Sequence, residues 1–301
     1  MTEQQIQKFK VLNLDGPTRI DRAIRLQFPD FGRRKVQALV NAKKARVNGK
    51  VVWMCSWKVK NGDKIELLCE KPEEKVKTSQ FKDHWIVRRD SDVIALNKPA
   101  GVLSHKTRVG GDDDILSLAT EKFGHVVLFH RLDRDTSGVM IFTQNTQINR
   151  YLDVAFKAGT IEKEYVALIQ SPNELQNVGV ISTRMSNVPN RRDIMRVSPH
   201  GKAAETHYEV VGEAEGKMLV KLWPKTGRTH QLRVHMQYMH GAILGDRLYG
   251  FRKSAKRLML HAHRITLPEA DGYPERSYKA PLPEDFISQL PKALRKLAKN
   301  L

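Results

Sequence analysis

The spacing of apolar residues changes along the chain, from helical near the start to strand-like in the later part. Ile20, Ala23 and Ile24 recur at the spacing of one helix face, and residues 32–45 repeat that pattern. Short β-like runs come after these two predicted helices. Together they predict a small α/β module over residues 1–70.

Two Asn-Gly pairs in this module are typical turn sequences. They are Asn48-Gly49 and Asn61-Gly62, and each lies between β-like runs. Both residue types tolerate the positive φ angles of a two-residue hairpin turn. We therefore expect one β-hairpin at each pair.

Residues 71–84 are charged and poor in bulky apolar side chains, which predicts a linker. In residues 85–301 the strands outnumber the helices and do not alternate regularly with them. This pattern predicts an α+β domain with a mixed, mainly antiparallel sheet and a central cleft. The predicted strands are residues 93–98, 125–129, 138–143, 163–169, 206–211 and 217–223.

Three helices are predicted in this larger domain besides one that begins at Ile115. Residues 146–159 form the clearest pattern, which Gly159 ends. Residues 229–241 predict a second helix, with Thr229 as N-cap and Gly241 as the stop. Residues 281–301 predict one basic helix at the end of the chain.

The charge of the chain points to an anionic partner. A formal net charge of +19 and an isoelectric point near 9.9 favour a phosphate backbone, although a membrane surface could also attract such a protein. No apolar run approaches the roughly 20 residues of a membrane-spanning helix. The first ten residues lack the apolar core of a signal peptide. The two cysteines, Cys55 and Cys69, have no metal or redox spacing, so we expect a reduced, cytoplasmic setting.

Much of the positive charge lies in the first module. Residues 1–80 carry 18 Lys and Arg against nine Asp and Glu. The basic residues of its second helix have no alternating acids, unlike a face covered with salt bridges. We assign RNA binding to Arg33, Arg34, Lys35, Lys43 and Lys44.

The most reactive segment of the sequence is His-Arg-Leu-Asp-Arg-Asp-Thr-Ser-Gly, residues 130–138, between two apolar strands. Asp133 lies between Arg131 and Arg134, whose charges keep a carboxylate ionised. Such a carboxylate can act as a nucleophile or as a base. From this loop alone, a surface turn closed by Asp–Arg pairs is an equally good interpretation.

This loop and four further segments resemble the RluA-type pseudouridine synthase family. Residues 96–105 (LNKPAGVLSH), 163–168 (KEYVAL), 227–236 (GRTHQLRVHM) and 258–265 (LMLHAHRI) match family motifs in the family's order. The first 80 residues resemble a small RNA-binding module first recognised in a ribosomal small-subunit protein. The resemblance implies an enzyme that isomerises uridine to pseudouridine in structured RNA, without cofactor or metal.

The resemblance also implies roles for single residues. Asp133 matches the catalytic aspartate, Tyr165 the aromatic residue that stacks on the flipped uracil, and Arg233 the basic partner of the carboxylate. Arg131 matches the residue that enters the RNA stack when the base leaves, and Leu260 the aliphatic residue under the base.

Two residues of the matching helix motif, Arg228 and His230, are assigned to RNA binding in the same way. Asp135 falls where the family varies, and we expect it only to cap the loop.

Several alternatives remain open at the level of sequence. The resemblance favours large-subunit ribosomal RNA as substrate, with transfer RNA as the other possibility, and we expect a monomer. A non-catalytic RNA-binding or ribosome-assembly protein would keep the same scaffold. A metal-dependent nuclease could use Asp112, Asp113 and Asp114, although a turn that caps the helix from Ile115 explains them better.

Overall fold

The computed structural model divides the chain into two compact units, Met1–Thr78 and Ser79–Leu301. It describes residues 4–12, 14, 16–28, 31, 33–70, 80–106, 114–170, 175–250, 254–270 and 272–301. Most of the predicted linker, residues 71–79, therefore lies outside the described residues. Its end forms a short 3-10 turn at Asp83–Trp85.

The described strands of the first unit are β1 (Gln4–Lys10), β2 (Thr18–Arg19), β3 (Ala45–Val47), β4 (Lys50–Val52), β5 (Lys58–Val59) and β6 (Lys64–Glu70), and its described helices are α1 (Ile20–Gln27) and α2 (Arg33–Asn41). The strands form a four-stranded sheet of order β1-β6-β3-β4 and a separate β2–β5 pair. The predicted helix faces are correct, because Ile20, Ile24, Val36 and Val40 are fully buried.

One of the two predicted hairpins is present. Asn48 and Gly49 have φ angles of 50° and 83° and join β3 to β4 in an antiparallel pair. The hairpin expected at Asn61-Gly62 is wrong, because β5 pairs with β2 rather than with β6. The side-chain amide of Asn61 instead binds the backbone N–H and carbonyl of Leu14, both at 2.9 Å, so the turn is fixed against a segment far away in sequence.

The second unit is built on a large mixed sheet whose main path has the order β13-β12-β14-β15-β11-β16-β10-β8-β7. Its strands are β7 (Ile86–Arg89), β8 (Val93–Lys98), β9 (Val127–Leu128), β10 (Ser137–Thr143), β11 (Glu162–Gln170), β12 (Val178–Val188), β13 (Arg191–Val197), β14 (Lys202–Ala214), β15 (Lys217–Pro224), β16 (Leu260–Leu267) and β17 (Arg276–Lys279). Its helices are α3 (Ile115–Phe123), α4 (Thr146–Ala158), α5 (Gln231–Tyr238), α6 (Glu284–Ile287) and α7 (Lys292–Lys299).

The sheet is mainly antiparallel, as predicted, and β10 and β16 form its parallel pair. Gly138 explains how these two strands approach each other. Its φ angle is 125°, and a Cβ atom there would lie 2.2 Å from the carbonyl oxygen of Ala262. Any larger residue would push β16 away from the strand that follows the reactive loop.

Two predicted helices need correction. The helix expected from Thr229 begins at Gln231, since His230 has a φ angle of 54° and the N–H of Arg228 donates to the Gln231 side chain in a turn. The single terminal helix is two short ones, α6 and α7. They are separate because Pro291 cannot donate a backbone hydrogen bond and disfavours helical geometry at the residue before it.

The described part of the chain has no helix that is long and apolar enough to cross a membrane.

Candidate active site

Ser104 fixes the loop between β9 and β10 through two hydrogen bonds. The Ser104 hydroxyl donates to the Leu132 carbonyl at 2.6 Å and accepts the Leu132 N–H at 2.9 Å. Both residues are buried. Asp133, the next residue, has a side chain that is 28% exposed. The loop is thus fixed where the reactive carboxylate begins.

Lys98 fixes the same loop from the neighbouring strand. Its fully buried ammonium group donates to three carbonyls, those of Pro99, Val102 and Arg134, at 2.8 to 3.0 Å. Burial lowers the pKa of Lys98 to about 7. The Gly101 N–H also donates to the Arg134 carbonyl, at 2.9 Å. The Asn-Lys-Pro segment and the Asp133 loop therefore form one hydrogen-bonded unit.

Two side chains of the α5 region lie beside the Asp133 carboxylate. Arg233 Nη1 is 3.3 Å from Asp133 Oδ2, and His230 Nε2 is 3.8 Å from the same oxygen. The Arg233 contact is within hydrogen-bond distance, and the His230 contact is longer than a hydrogen bond.

Arg233 is shared between two carboxylates. Its Nε and Nη2 atoms donate to Asp246, each at 2.7 Å, and the Asp246 side chain is fully buried. Burial alone would lower the pKa of Arg233, but the bonds to Asp246 and the charge of Asp133 raise it above its usual value. Burial alone would likewise raise the pKa of Asp246, which Arg233 and two backbone N–H groups keep low. The guanidinium is thus a permanent cation with a fixed orientation.

Side-chain hydrogen bonds fix the position of helix α5, which carries Arg233. The Gln231 side chain bridges the turn before the helix and strand β14, through Thr226 at 2.7 Å and Thr206 at 3.0 Å. His235 lies fully buried between the hydroxyls of Thr183 and Thr206, both at 2.9 Å. Each of these contacts fixes the helix that carries Arg233.

Tyr165 approaches the carboxylate from the sheet. It lies on β11, opposite Leu222 on one side and Ala262 on the other. Burial, together with the charge of Asp133, raises the pKa of Tyr165, so the phenol stays protonated at neutral pH. Leu260 lies on β16, 3% exposed. Tyr165 packs against two apolar clusters, one that contains Leu132 and one that contains Leu260.

This arrangement provides one carboxylate with its neighbouring cation already in place. The second acid nearby, Asp246, is fully engaged by Arg233 and by the backbone N–H groups of Leu248 and Tyr249. It is not free to act as the paired acid that glycoside hydrolysis normally uses. The geometry suits a nucleophile or base that works as a single carboxylate.

The remaining predicted residues have other surroundings. Arg131 is exposed in the reactive loop. Arg228 donates its Nε hydrogen to the Ala203 carbonyl at 2.9 Å and so holds β14 as well as facing solvent. In the first unit, Arg33 and Lys43 are exposed and Lys44 is half-buried, while the side chains of Arg34 and Lys35 lie outside the described structure.

Three groups of functional interest were missed at the level of sequence. Asp246 and Tyr249 contact Arg233, with the Tyr249 ring 5.1 Å from the guanidinium carbon. At the end of the loop, Arg257 donates to Ser137 at 2.6 Å, and Ser137 bonds His261 at 2.8 Å. For Asp246 and Tyr249, the only signal in the sequence was an acidic and an aromatic residue in the segment LGDRLYG, residues 244–250. A local pattern cannot show that these two residues contact Arg233.

Among the described residues, no three His, Cys, Asp or Glu side chains form a group placed to hold a metal ion. Asp114 caps α3, accepting the Ser117 N–H at 2.9 Å, as the turn interpretation predicted. Asp112 and Asp113 lie outside the described residues. His261 and His263 are buried in the sheet.

Comparison with known proteins shows which family of proteins this chain is similar to. The RNA pseudouridylate synthase family matches residues 92–238. The chain is 30% identical over 290 residues to ribosomal large subunit pseudouridine synthase D of Haemophilus ducreyi, covering 89% of each chain. It is 30% identical over 299 residues to the protein of the same name from Vibrio parahaemolyticus, covering 92% of this chain and 91% of that one.

A solved structure agrees with these sequence matches. Human RNA pseudouridylate synthase domain containing 4 superposes with a TM-score of 0.57 at 25% identity, covering 71% of this chain and 93% of its own. The family match includes Asp133, Tyr165 and Arg233, the three residues that the geometry brings together. The chain belongs to the RluA-type RNA pseudouridine synthase family.

Proposed function

We propose that the protein isomerises specific uridines to pseudouridine in large-subunit ribosomal RNA. The observation that carries this proposal is the single carboxylate of Asp133, 3.3 Å from a buried arginine and within the electrostatic reach of Tyr165. The names of the relatives from Haemophilus ducreyi and Vibrio parahaemolyticus support ribosomal RNA over transfer RNA.

The reaction needs one carboxylate and a pocket that excludes water, and it needs few other chemical groups. Uracil leaves carbon 1′ of the ribose, turns while it is held, and rejoins through its carbon 5. Asp133 supplies the reacting carboxylate, and Arg233 contacts it at 3.3 Å. Tyr165 stacks on the flipped uracil, and Leu132 and Leu260 keep water away from it. Removing water also strengthens the electrostatic contacts of the site.

The base must first leave the RNA stack, which costs a few kcal/mol. Arg131 is an exposed cation two residues before Asp133, and its planar guanidinium can occupy the vacated space. Arg228 and His230 extend the RNA-facing surface on the other side. Arg233 and Asp133 then act only on the extruded nucleotide.

RNA affinity is the proposed task of the first unit. Its basic residues Arg33, Arg34, Lys35, Lys43 and Lys44 contact phosphates and supply binding that does not depend on sequence. The division of labour is then a basic module at residues 1–70, a linker at 71–84 and a catalytic domain at 85–301. We further propose that the enzyme works as a monomer in the cytoplasm.

Two measurements test this function. Pseudouridines are mapped across total RNA from cells with and without the protein, and a site in large-subunit ribosomal RNA should disappear without it. Purified protein is then assayed by tritium release from RNA labelled at carbon 5 of uridine. Asp133→Asn should lose more than about 100-fold in rate while keeping its RNA affinity, because phosphate contacts supply most of the binding.

Asp135→Asn is the matched control, since Asp135 is an exposed carboxylate two residues away on the same loop. It should stay within about threefold of wild type, as surface substitutions usually have small effects. An Asp133→Asn protein that keeps a tenth of the wild-type rate would contradict the assignment. If the pseudouridine that disappears lies in transfer RNA instead, the proposed substrate is wrong and the proposed reaction still stands.

A further inference from the structure

His230 lies in an unusual backbone conformation next to the reacting carboxylate. Its φ and ψ angles, 54° and 19°, are in the left-handed region that residues other than glycine seldom adopt. Strain of this kind costs on the order of 1 kcal/mol or more and concentrates at functional sites. The conformation brings the ring Nε2 atom to 3.8 Å from Asp133 Oδ2.

Tyr249 determines which ring nitrogen of His230 carries the hydrogen. The buried Tyr249 hydroxyl accepts the Met195 N–H at 2.8 Å and lies 2.8 Å from His230 Nδ1. A tyrosine hydroxyl has a single hydrogen to donate, and Nδ1 is the acceptor beside it. Burial lowers the pKa of His230, so the ring is neutral. We therefore assign the hydrogen of the neutral ring to Nε2, the atom that faces Asp133.

Two N–H groups consequently face one oxygen of the carboxylate. Arg233 Nη1 and His230 Nε2 both approach Asp133 Oδ2. Among the described residues, no hydrogen bond or ion pair reaches Asp133 Oδ1. Arg233 donates a hydrogen bond to this oxygen, and the His230 N–H, which at 3.8 Å is beyond hydrogen-bond distance, attracts it from a second direction; together they restrict the rotation of the carboxylate.

We propose that His230, held by Tyr249, is a positioning residue that fixes the rotation of the Asp133 carboxylate and leaves Oδ1 to react with the nucleotide. This proposal rests on the function proposed above. It gives His230 a task toward Asp133 in addition to RNA contact. It also gives Tyr249 a role in the reaction through His230, although Tyr249 itself does not contact Asp133.

Two substitutions of His230 separate this role from a structural one. In His230→Asn the amide reaches the place of Nδ1, so it keeps Tyr249 but cannot reach Asp133. In His230→Gln the amide nitrogen reaches the place of Nε2 and can still donate to Asp133. Asparagine tolerates the left-handed backbone better than glutamine does. A purely structural role therefore predicts that Asn is the better replacement, and the positioning role predicts that Gln is.

The assay is the single-turnover rate of pseudouridine formation, with RNA affinity and melting temperature measured on the same proteins. We expect His230→Asn to lose about 10- to 100-fold in rate at saturating protein, where a lost RNA contact no longer limits the rate; this is the scale expected for a misplaced reacting group. His230→Gln should stay at least fivefold faster than His230→Asn. An Asn variant as fast as the Gln variant, or faster, overturns the proposal.

A second variant tests the link to Tyr249. Tyr249→Phe removes the hydroxyl and keeps the ring against Arg233, and it should slow the wild-type background by about tenfold, the lower end of that scale. It should change nothing further in His230→Asn, because the donor to Asp133 is already absent there. An equal loss in both backgrounds overturns the role of Tyr249 through His230. A wild type that makes no pseudouridine in this assay overturns the proposed function itself.

Discussion

Replacing Asp246 with asparagine removes one of the two charges that hold Arg233 and leaves the shape of the side chain nearly unchanged. In the native protein, Arg233 makes two 2.7 Å hydrogen bonds to Asp246 and one 3.3 Å contact with Asp133. The asparagine keeps one oxygen acceptor and turns an amide group toward the guanidinium. Arg233 then has Asp133 as its remaining carboxylate partner.

The size of both effects follows from burial. The side chains of Arg233 and Asp246 are 7% and 0% exposed, and breaking such a pair from one side costs about 3 to 5 kcal/mol. The retained oxygen of asparagine keeps part of the bonding, so we expect about 3 kcal/mol in the free energy of unfolding. The guanidinium should move toward Asp133 and shorten the 3.3 Å contact. A shift of this kind should slow the reaction by about 10- to 100-fold.

Asp92→Asn is a matched control for the stability effect. Asp92 also binds an arginine in two places, Arg276 at 2.7 and 3.1 Å, but neither residue contacts Asp133. Both side chains are 14% exposed and Asp90 lies 4.0 Å from Arg276, so the destabilisation should be about 1 kcal/mol. Unfolding is followed by calorimetry, and the reaction by single-turnover pseudouridine formation at saturating protein.

Asp246→Asn should lose both stability and rate, and Asp92→Asn only stability. RNA affinity should change little in either, because Asp246 is buried and carries no phosphate contact. A folded Asp246→Asn protein with a rate within twofold of wild type would refute the argument that Asp246 sets the position of Arg233. A slow Asp92→Asn protein would show that the rate follows stability instead.

Two further predictions follow from the fold. The pKa of Lys98 is about 7 in the native protein and near 10.4 in an unfolded chain, so between these values the unfolded chain binds the extra proton. Stability should therefore rise with pH across this window by up to about 1.4 kcal/mol per unit, and urea unfolding of Lys98→Met at pH 7, 8 and 9 should lack that slope. A protein that begins at Lys82 should bind RNA more weakly at low salt and converge with the full chain as salt rises. Each phosphate interaction that this truncation removes should flatten the log–log salt dependence by about 0.7 to 0.9, and equal slopes would contradict the role of the first unit as an RNA anchor.

The local pattern of the chain predicted most of the fold. The buried faces of α1 and α2, the Asn48-Gly49 hairpin and the mainly antiparallel sheet all depend on spacing or on turn residues, which a sequence displays directly. The failures share a different cause. The turn at Asn61 is decided by hydrogen bonds to Leu14, 47 residues away, and the terminal helix is divided at Pro291, where a missing N–H outweighs a continuous apolar face.

The same distinction between local patterns and long-range contacts applies to the residues of the site. Asp133, Tyr165 and Arg233 could each be proposed from a separate family motif, and the structure brings the three residues together. Asp246 could not, because its importance arises only when Arg233, 13 residues earlier, turns its guanidinium toward it. The hydrogen position on His230 depends on a tyrosine 19 residues away and on a backbone N–H of β13. Such relations belong to tertiary structure and leave no periodic trace.

The charges around Asp133 have opposite signs at different depths, and this bears on which part of an RNA can enter. Asp133 and Asp246 are two carboxylates that share the guanidinium of Arg233. Arg131 and Arg134 are exposed on the loop that carries Asp133. We expect the net charge of +19 to attract the RNA as a whole. The two carboxylates should repel a phosphate, whereas an uncharged uracil would not be repelled. The electrostatics that bring RNA to the surface should therefore favour the base, rather than the backbone, at Asp133.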